Sequence, residues 1–245
     1  MRLSIHDGPT TATEAACLIL HSWLEEPNVS NIMCAGGNSP LRLYREIARH
    51  GLNLAGIRVF ALDEYVGVPL DEFRTVSNLL RRSVVDAWRV PRASFFPLSP
   101  LPNKALSSIQ QQESIIRHYG GLDILILGLG QNGHVGFNEP GSTETDVGRL
   151  VPLESSSVAA NSLWFGGTYA PDIGVTVGLR TLLSARRVII LAFSDQKATA
   201  VRNMVEGHRR PSCPASFFQG HPETRVFLDD AAASQLSCNR QEMAQ

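Results

Sequence analysis

Short apolar runs recur along this chain, each followed by a glycine- or acid-bearing turn and then by a stretch of helical period. Residues 29–35, 57–62, 122–127 and 187–193 have the length and apolar density of buried strands. The run at 122–127 is apolar at almost every position, as a strand covered on both faces must be. Helical spacing covers 10–24, 76–88 and 104–119, and also links Leu41, Tyr44, Ile47 and Ala48. Ser39 is placed to cap this last helix, with Pro40 in its first turn. A further helix begins near Ser194 and carries Lys197. The alternation predicts an α/β fold: a doubly wound, mostly parallel, Rossmann-like sheet with helices on both faces and right-handed crossovers. With no internal repeat and no Gly/Ser-rich linker, residues 1–245 are expected to form a single domain. The Pro-containing stretches 91–102 and 211–222 read as loops within it, and the tail from Ala231 as a fraying end.

Composition narrows the setting. Twenty-two Lys+Arg against 23 Asp+Glu leave a net charge of -1, and only 18% of residues are charged, which argues against a basic nucleic-acid face and an acidic disordered tail. No run approaches the ~18 apolar residues of a membrane span. Residues 1–13 lack the apolar core of a secretory signal, so no membrane association and a cytoplasmic setting are expected. Cys17, Cys34, Cys213 and Cys238 form no Cys-x-x-Cys pair and are expected to be reduced, with neither a zinc knuckle nor a disulfide framework.

In an open parallel sheet, ligands bind beyond the carboxyl ends of the strands. The loop after 122–127 reads Gly128-Leu129-Gly130-Gln131-Asn132-Gly133-His134 and runs on to Glu139-Pro140-Gly141. Its Gly-x-Gly-x-x-Gly spacing matches a dinucleotide fingerprint, but Gly136, Pro140, Gly141 and Gly148 deny it the helix that would meet a pyrophosphate, so no nicotinamide or flavin is expected. The glycines instead bend the loop so that His134 and Glu139 point into a pocket. His134 is the best acid/base candidate, because imidazole titrates near neutrality. An isolated histidine would more simply brace its loop; Asn132 and Glu139, close by, could orient this one. The other six histidines, such as His6, His50 and His118, are expected at the surface. Asp63 and Glu64 follow the strand at 57–62 either as a capping or solvated acidic turn or as the seat of a general base. Gly36, Gly37, Asn38 and Ser39 form either a plain strand-to-helix turn or an anion site of backbone N–H groups, to which Lys197 could add charge if it is not simply a solvated lysine. No element supplies metal-ligand spacing.

Leu62-Asp63-Glu64-Tyr65-Val66-Gly67 and the long loop 128–141 closely resemble the two signature loops of the glucosamine-6-phosphate deaminase family. The Gly-rich turn, residues 176–183 and 194–198 are similar to that family too, so the resemblance covers most of the chain. Related 6-phosphogluconolactonases have Arg where Tyr65 stands and lack the Phe137-Asn138-Glu139-Pro140 continuation. The resemblance implies conversion of an amino-sugar 6-phosphate to fructose 6-phosphate and ammonia without a redox cofactor. In it Asp63 is the base moving a proton between carbons 2 and 1, and His134 opens the sugar ring, oriented by Glu139. Gly37, Asn38, Ser39 and Lys197 hold the phosphate. Two positions depart from the pattern. Asn132 stands where many members have Asp; its amide oxygen could fix the His134 tautomer but cannot carry charge. Leu163 stands where the family segment carries an Arg for the sugar phosphate, a non-conservative loss that makes galactosamine 6-phosphate or another phosphosugar a rival substrate. A lactonase-like hydrolase and a non-catalytic sugar-phosphate sensor are the remaining alternatives. As a short form, the chain is expected to be a monomer or small homo-oligomer.

Overall fold

The structure is a computed structural model and describes residues 1–237. Its strands are β1 (Arg2–His6), β2 (Asn31–Cys34), β3 (Arg58–Ala61), β4 (Asp63–Tyr65), β5 (Phe95–Phe96), β6 (Ile124–Gly128), β7 (Arg149–Pro152), β8 (Ile173–Thr176), β9 (Arg187–Ala192) and β10 (Thr224–Asp229). The α-helices are α1 (Pro9–Leu24), α2 (Asn38–Arg49), α3 (Val76–Leu80), α4 (Pro102–His118), α5 (Ser155–Trp164), α6 (Leu179–Leu183), α7 (Ala198–Val205) and α8 (Asp230–Ala233). Seven strands form the main sheet in the order β1-β10-β9-β6-β2-β3-β5, and every pairing in it is parallel.

Because successive strand residues face opposite ways, each central strand feeds two cores. Met33, Phe60, Leu125, Leu127, Val188 and Ile190 pack beneath α4, α6 and α7. Their neighbours Ile32, Cys34, Val59, Ile124, Ile126 and Ile189 pack beneath α1, α2 and α3. This is the doubly wound arrangement that the apolar runs predict. The winding reverses between β2 and β6: β2 leads outward to β3 and β5, and β6 leads the other way to β9 and β10. A cleft opens at such a switch point, between loops that diverge from adjacent strand ends.

A second, three-stranded sheet lies outside the predicted pattern. β4, β8 and β7 pair antiparallel, and β4 is a direct continuation of β3. Leu62 is the seam: its N–H donates to Cys34 O in the main sheet at 3.1 Å, and its carbonyl accepts from Val177 N on the far side at 3.0 Å. Asp63 and Glu64 are therefore strand residues, not a turn, and alternation sends their side chains to opposite faces.

Local structure departs from the expected pattern elsewhere too. The helix expected over 76–88 is α3 followed by a π-helical stretch, Arg81–Asp86. Ser39 lies inside α2 and does not cap it; the N-cap is Gly37, at φ +99°, a conformation that a side chain would strain. Lys197 ends a 3₁₀ turn, Asp195–Lys197, ahead of α7; 3₁₀ segments at Arg92–Ser94 and Pro214–Gly220, the former running into β5, order parts of the loops expected at 91–102 and 211–222. His221 is buried, not superficial, bridging Ala185 O at 2.7 Å and Thr224 Oγ1 at 2.9 Å. The tail forms α8, whose Ala232 N–H donates to Asp229 Oδ1 at 2.8 Å, before the described residues end; Cys238 and the last part of the expected fraying end lie outside them. Cys17, Cys34 and Cys213 are buried free thiols.

Candidate active site

A cleft of about 550 Å³ lies beyond the carboxyl ends of β2 and β6. Gly36, Gly37, Asn38, Ser39, Asp63, Asn132, His134 and Lys197 all line it; of the predicted site residues only Glu139 does not, because it sits behind His134. No helix follows Gly133 before β7, so the Gly128 loop lacks the helix N-terminus that a dinucleotide fingerprint requires.

Asp63 is carried to the cleft by the sheet-to-sheet seam and is 5% exposed. Its Oδ1 has no hydrogen-bond partner among the described residues. Burial, with the charge of neighbouring Glu64 second, pushes its carboxyl up from 3.8 to about 8. Such a carboxyl holds a proton at neutral pH far more readily than an ordinary aspartate does. Glu64, on the other face, takes the capping role: it accepts from Val76 N at 3.0 Å, Ser77 N at 2.8 Å and Tyr65 N at 2.8 Å, ordering the start of α3. The two readings of the acidic pair thus divide between its two members.

The long loop arranges His134 through a close approach. The imidazole lies against Gly130, where an added Cβ would collide with the ring. His134 Nδ1 is buried 3.3 Å from Glu139 Oε2, which leaves Nε2 as the ring nitrogen for the cleft. Glu139 is buried too, and burial alone would raise its carboxyl; His134, Ser157 and Asn132 outweigh that and hold it down to about 2. Ser157 Oγ donates to its Oε1 at 2.5 Å and Asn132 Nδ2 to its Oε2 at 2.7 Å. An ionised carboxylate there favours the proton on Nδ1, so Nε2 is free to accept one. Asn132 therefore does not touch the ring as expected: its Oδ1 accepts from the His134 backbone N–H at 3.2 Å, and it orients Glu139 instead.

The opposite wall suits an anion. α2 has no side-chain cap, so the N–H groups of Asn38 and Ser39 point outward at the positive end of a 12-residue helix. Ser194, at φ +80° and ψ 156°, is in a conformation that glycine favours, at a cost of ~1–3 kcal/mol for a side chain. Its N–H donates to both Asp229 oxygens, at 3.1 and 3.0 Å, and this anchorage holds the turn that presents Lys197. Burial lowers the Lys197 ammonium from its ordinary value. Ser157, Asp229 and Arg74 line the cleft without being predicted from the sequence; Arg42 borders it from an exposed position on α2. Only the Ser155-Ser156-Ser157 run at a helix start carried any signal. Leu163 is 84% exposed at the end of α5 and does not line the cleft. Among the described residues no cluster of His, Cys, Asp or Glu could hold a metal ion, and no helix is long and apolar enough to cross a membrane.

A parallel α/β sheet with a buried carboxyl and a carboxylate-backed imidazole at its switch point defines an enzyme scaffold suited to moving protons on a small anionic ligand. The chain belongs to the glucosamine-6-phosphate isomerase/6-phosphogluconolactonase family, whose profile matches residues 9–227. It is 39% identical over 206 residues to the glucosamine-6-phosphate deaminase of Pseudarthrobacter chlorophenolicus, spanning 82% of this chain and 80% of that protein. It is 34% identical over 241 residues to that of Corynebacterium kroppenstedtii, spanning 96% and 93%. A solved monomeric glucosamine-6-phosphate deaminase superposes with a TM-score of 0.91 at 27% identity, covering 96% of this chain and 99% of that one. The 6-phosphogluconolactonase of Trypanosoma cruzi, at TM-score 0.78 and 20% identity over 97% of both chains, shares the fold.

Proposed function

We propose that this chain is an amino-sugar-6-phosphate deaminase that converts glucosamine 6-phosphate and water to fructose 6-phosphate and ammonia. The observation that carries the reading is the meeting, in one cleft, of the buried Asp63 carboxyl and the Glu139-backed His134 opposite the uncapped α2 N-terminus and Lys197. The names carried by the relatives support the same substrate.

The 6-phosphate lies against the N–H groups of Asn38 and Ser39 and the Lys197 ammonium, which fixes the sugar with its first carbons toward Asp63. His134 Nε2 takes the proton of the C1 hydroxyl and returns it to the ring oxygen, opening the pyranose; Glu139 steadies the transient imidazolium. Asp63, in its ionised form, removes the C2 proton while the C2 ammonium passes a proton to the C1 oxygen, giving an enolamine; Asp63 then delivers its proton to C1, leaving a protonated imine at C2. Water adds to that imine and ammonia departs. No step needs a metal or a redox cofactor. The enzyme acts in the cytoplasm as a single-domain monomer or small homo-oligomer.

The test is an ammonia assay across glucosamine, galactosamine and N-acetylated 6-phosphates, run beside lactone hydrolysis. Ammonia equimolar with fructose 6-phosphate from glucosamine 6-phosphate is the expected result. Lactone hydrolysis without ammonia, or tight sugar-phosphate binding without product, would replace the reading.

A further inference from the structure

The cleft contains a cation that this chemistry does not use. Arg74 stands just before α3, half-buried, and lines the cleft. Its Nη1 donates to Phe165 O at 2.6 Å, and its guanidinium lies 4.6 Å from the Phe73 ring centroid. Trp164 Nε1 donates to Arg74 O at 2.9 Å. These contacts fasten Arg74 to the C-terminal end of α5. Two residues on, Val76 packs on the glycine turn, 3.2 Å from where a Cβ at Gly36 would stand. The start of α3 thus lies against the anion-binding turn, and Arg74, at the same end of α3, reaches α5. Among the described residues no carboxylate pairs with its guanidinium, and only one of its five N–H donors has a hydrogen-bond partner. A half-buried guanidinium held by backbone and aromatic contacts, with its other donors open to a cleft, is arranged to receive an anion.

We propose that Arg74 binds the phosphate of the substrate, adding a guanidinium to the site formed by Lys197 and the first turn of α2. The proposal rests on the phosphosugar reading above. Arg42 also lines the cleft, from the second turn of α2, but it is exposed and nothing among the described residues holds its side chain.

Three variants of the full chain test this: Arg74→Met, Arg74→Lys and Arg42→Met. Binding of inorganic phosphate is followed by calorimetry, and KM and kcat for glucosamine 6-phosphate are measured separately. Arg74→Met should weaken phosphate binding and raise KM by about tenfold or more while kcat stays within about threefold, the signature of lost uniform binding. Arg74→Lys, which keeps the charge, should recover part of the loss, and Arg42→Met should leave phosphate binding within about twofold of the parent. Phosphate binding unchanged in Arg74→Met, a loss that Arg74→Lys does not reduce, or a loss that follows Arg42→Met instead would each overturn the assignment. Because phosphate binding is read without turnover, a parent protein that binds phosphate through Arg74 but releases no ammonia would refute the deaminase reading and leave this one standing.

Discussion

Asp63 is a buried carboxyl with one oxygen unpartnered, an arrangement that costs folding stability whenever the group ionises. The sign follows from linkage. Its folded value, about 8, lies above the ordinary 3.8, so the folded state binds the proton more tightly. The stabilising contribution is complete below about pH 4 and is lost as pH rises toward 8. Asp63→Asn removes the ionisation. The stability of this variant relative to the parent, measured by denaturant titration, should improve steadily from pH 4 to 8 and level off above. A relative stability independent of pH would show that Asp63 titrates as an exposed carboxylate. The same residue shows how far sequence reaches. An acidic pair after a buried strand is visible as a candidate site, but that Glu64 caps α3 while Asp63 faces the cleft depends on a switch between sheets that β3 alone does not announce.

At the scale of elements, the long loop between β6 and β7 works because its glycines permit close contact. Gly130→Ala would drive a methyl group into the His134 imidazole and push the ring away from Glu139. Such misplacement should lower kcat by about 10²-fold. KM should change less than kcat, since the added methyl group meets the imidazole and not α2 or Lys197; a KM defect with normal kcat would contradict the role of the contact. This loop was legible because its glycine, histidine and acidic residues are contiguous. Of the strands not predicted, β1 and β5 lie at sheet edges and β7 and β8 are four-residue strands whose pairing comes from tertiary context; β10, a six-residue strand inside the main sheet, and helices α5 and α6 were not predicted either. β8 places Gly174 where the Phe137 ring packs, a contact between distant segments that leaves no periodic mark.

For the whole molecule, a net charge of -1 offers no global field to gather a phosphosugar, so capture depends on the few cations placed at one switch point. That point is built from segments far apart in the chain: the turn after β2, the seam after β3, the loop after β6, the start of α5 and the turn before α7. The sequence discloses the strand-end segments because each apolar run ends in unusual chemistry. It hides Ser157, Arg74 and Asp229, which reach the site only through the packing of α5, α3 and β10 around the sheet. The claim that these segments make one proton-transferring site is tested most directly by ammonia release from glucosamine 6-phosphate, measured for the parent and for Asp63→Asn at equal protein concentration. The account predicts ammonia and fructose 6-phosphate in equal amounts from the parent and a rate lower by about 10³-fold or more in the variant. No ammonia from the parent, or a variant as fast as the parent, would contradict it.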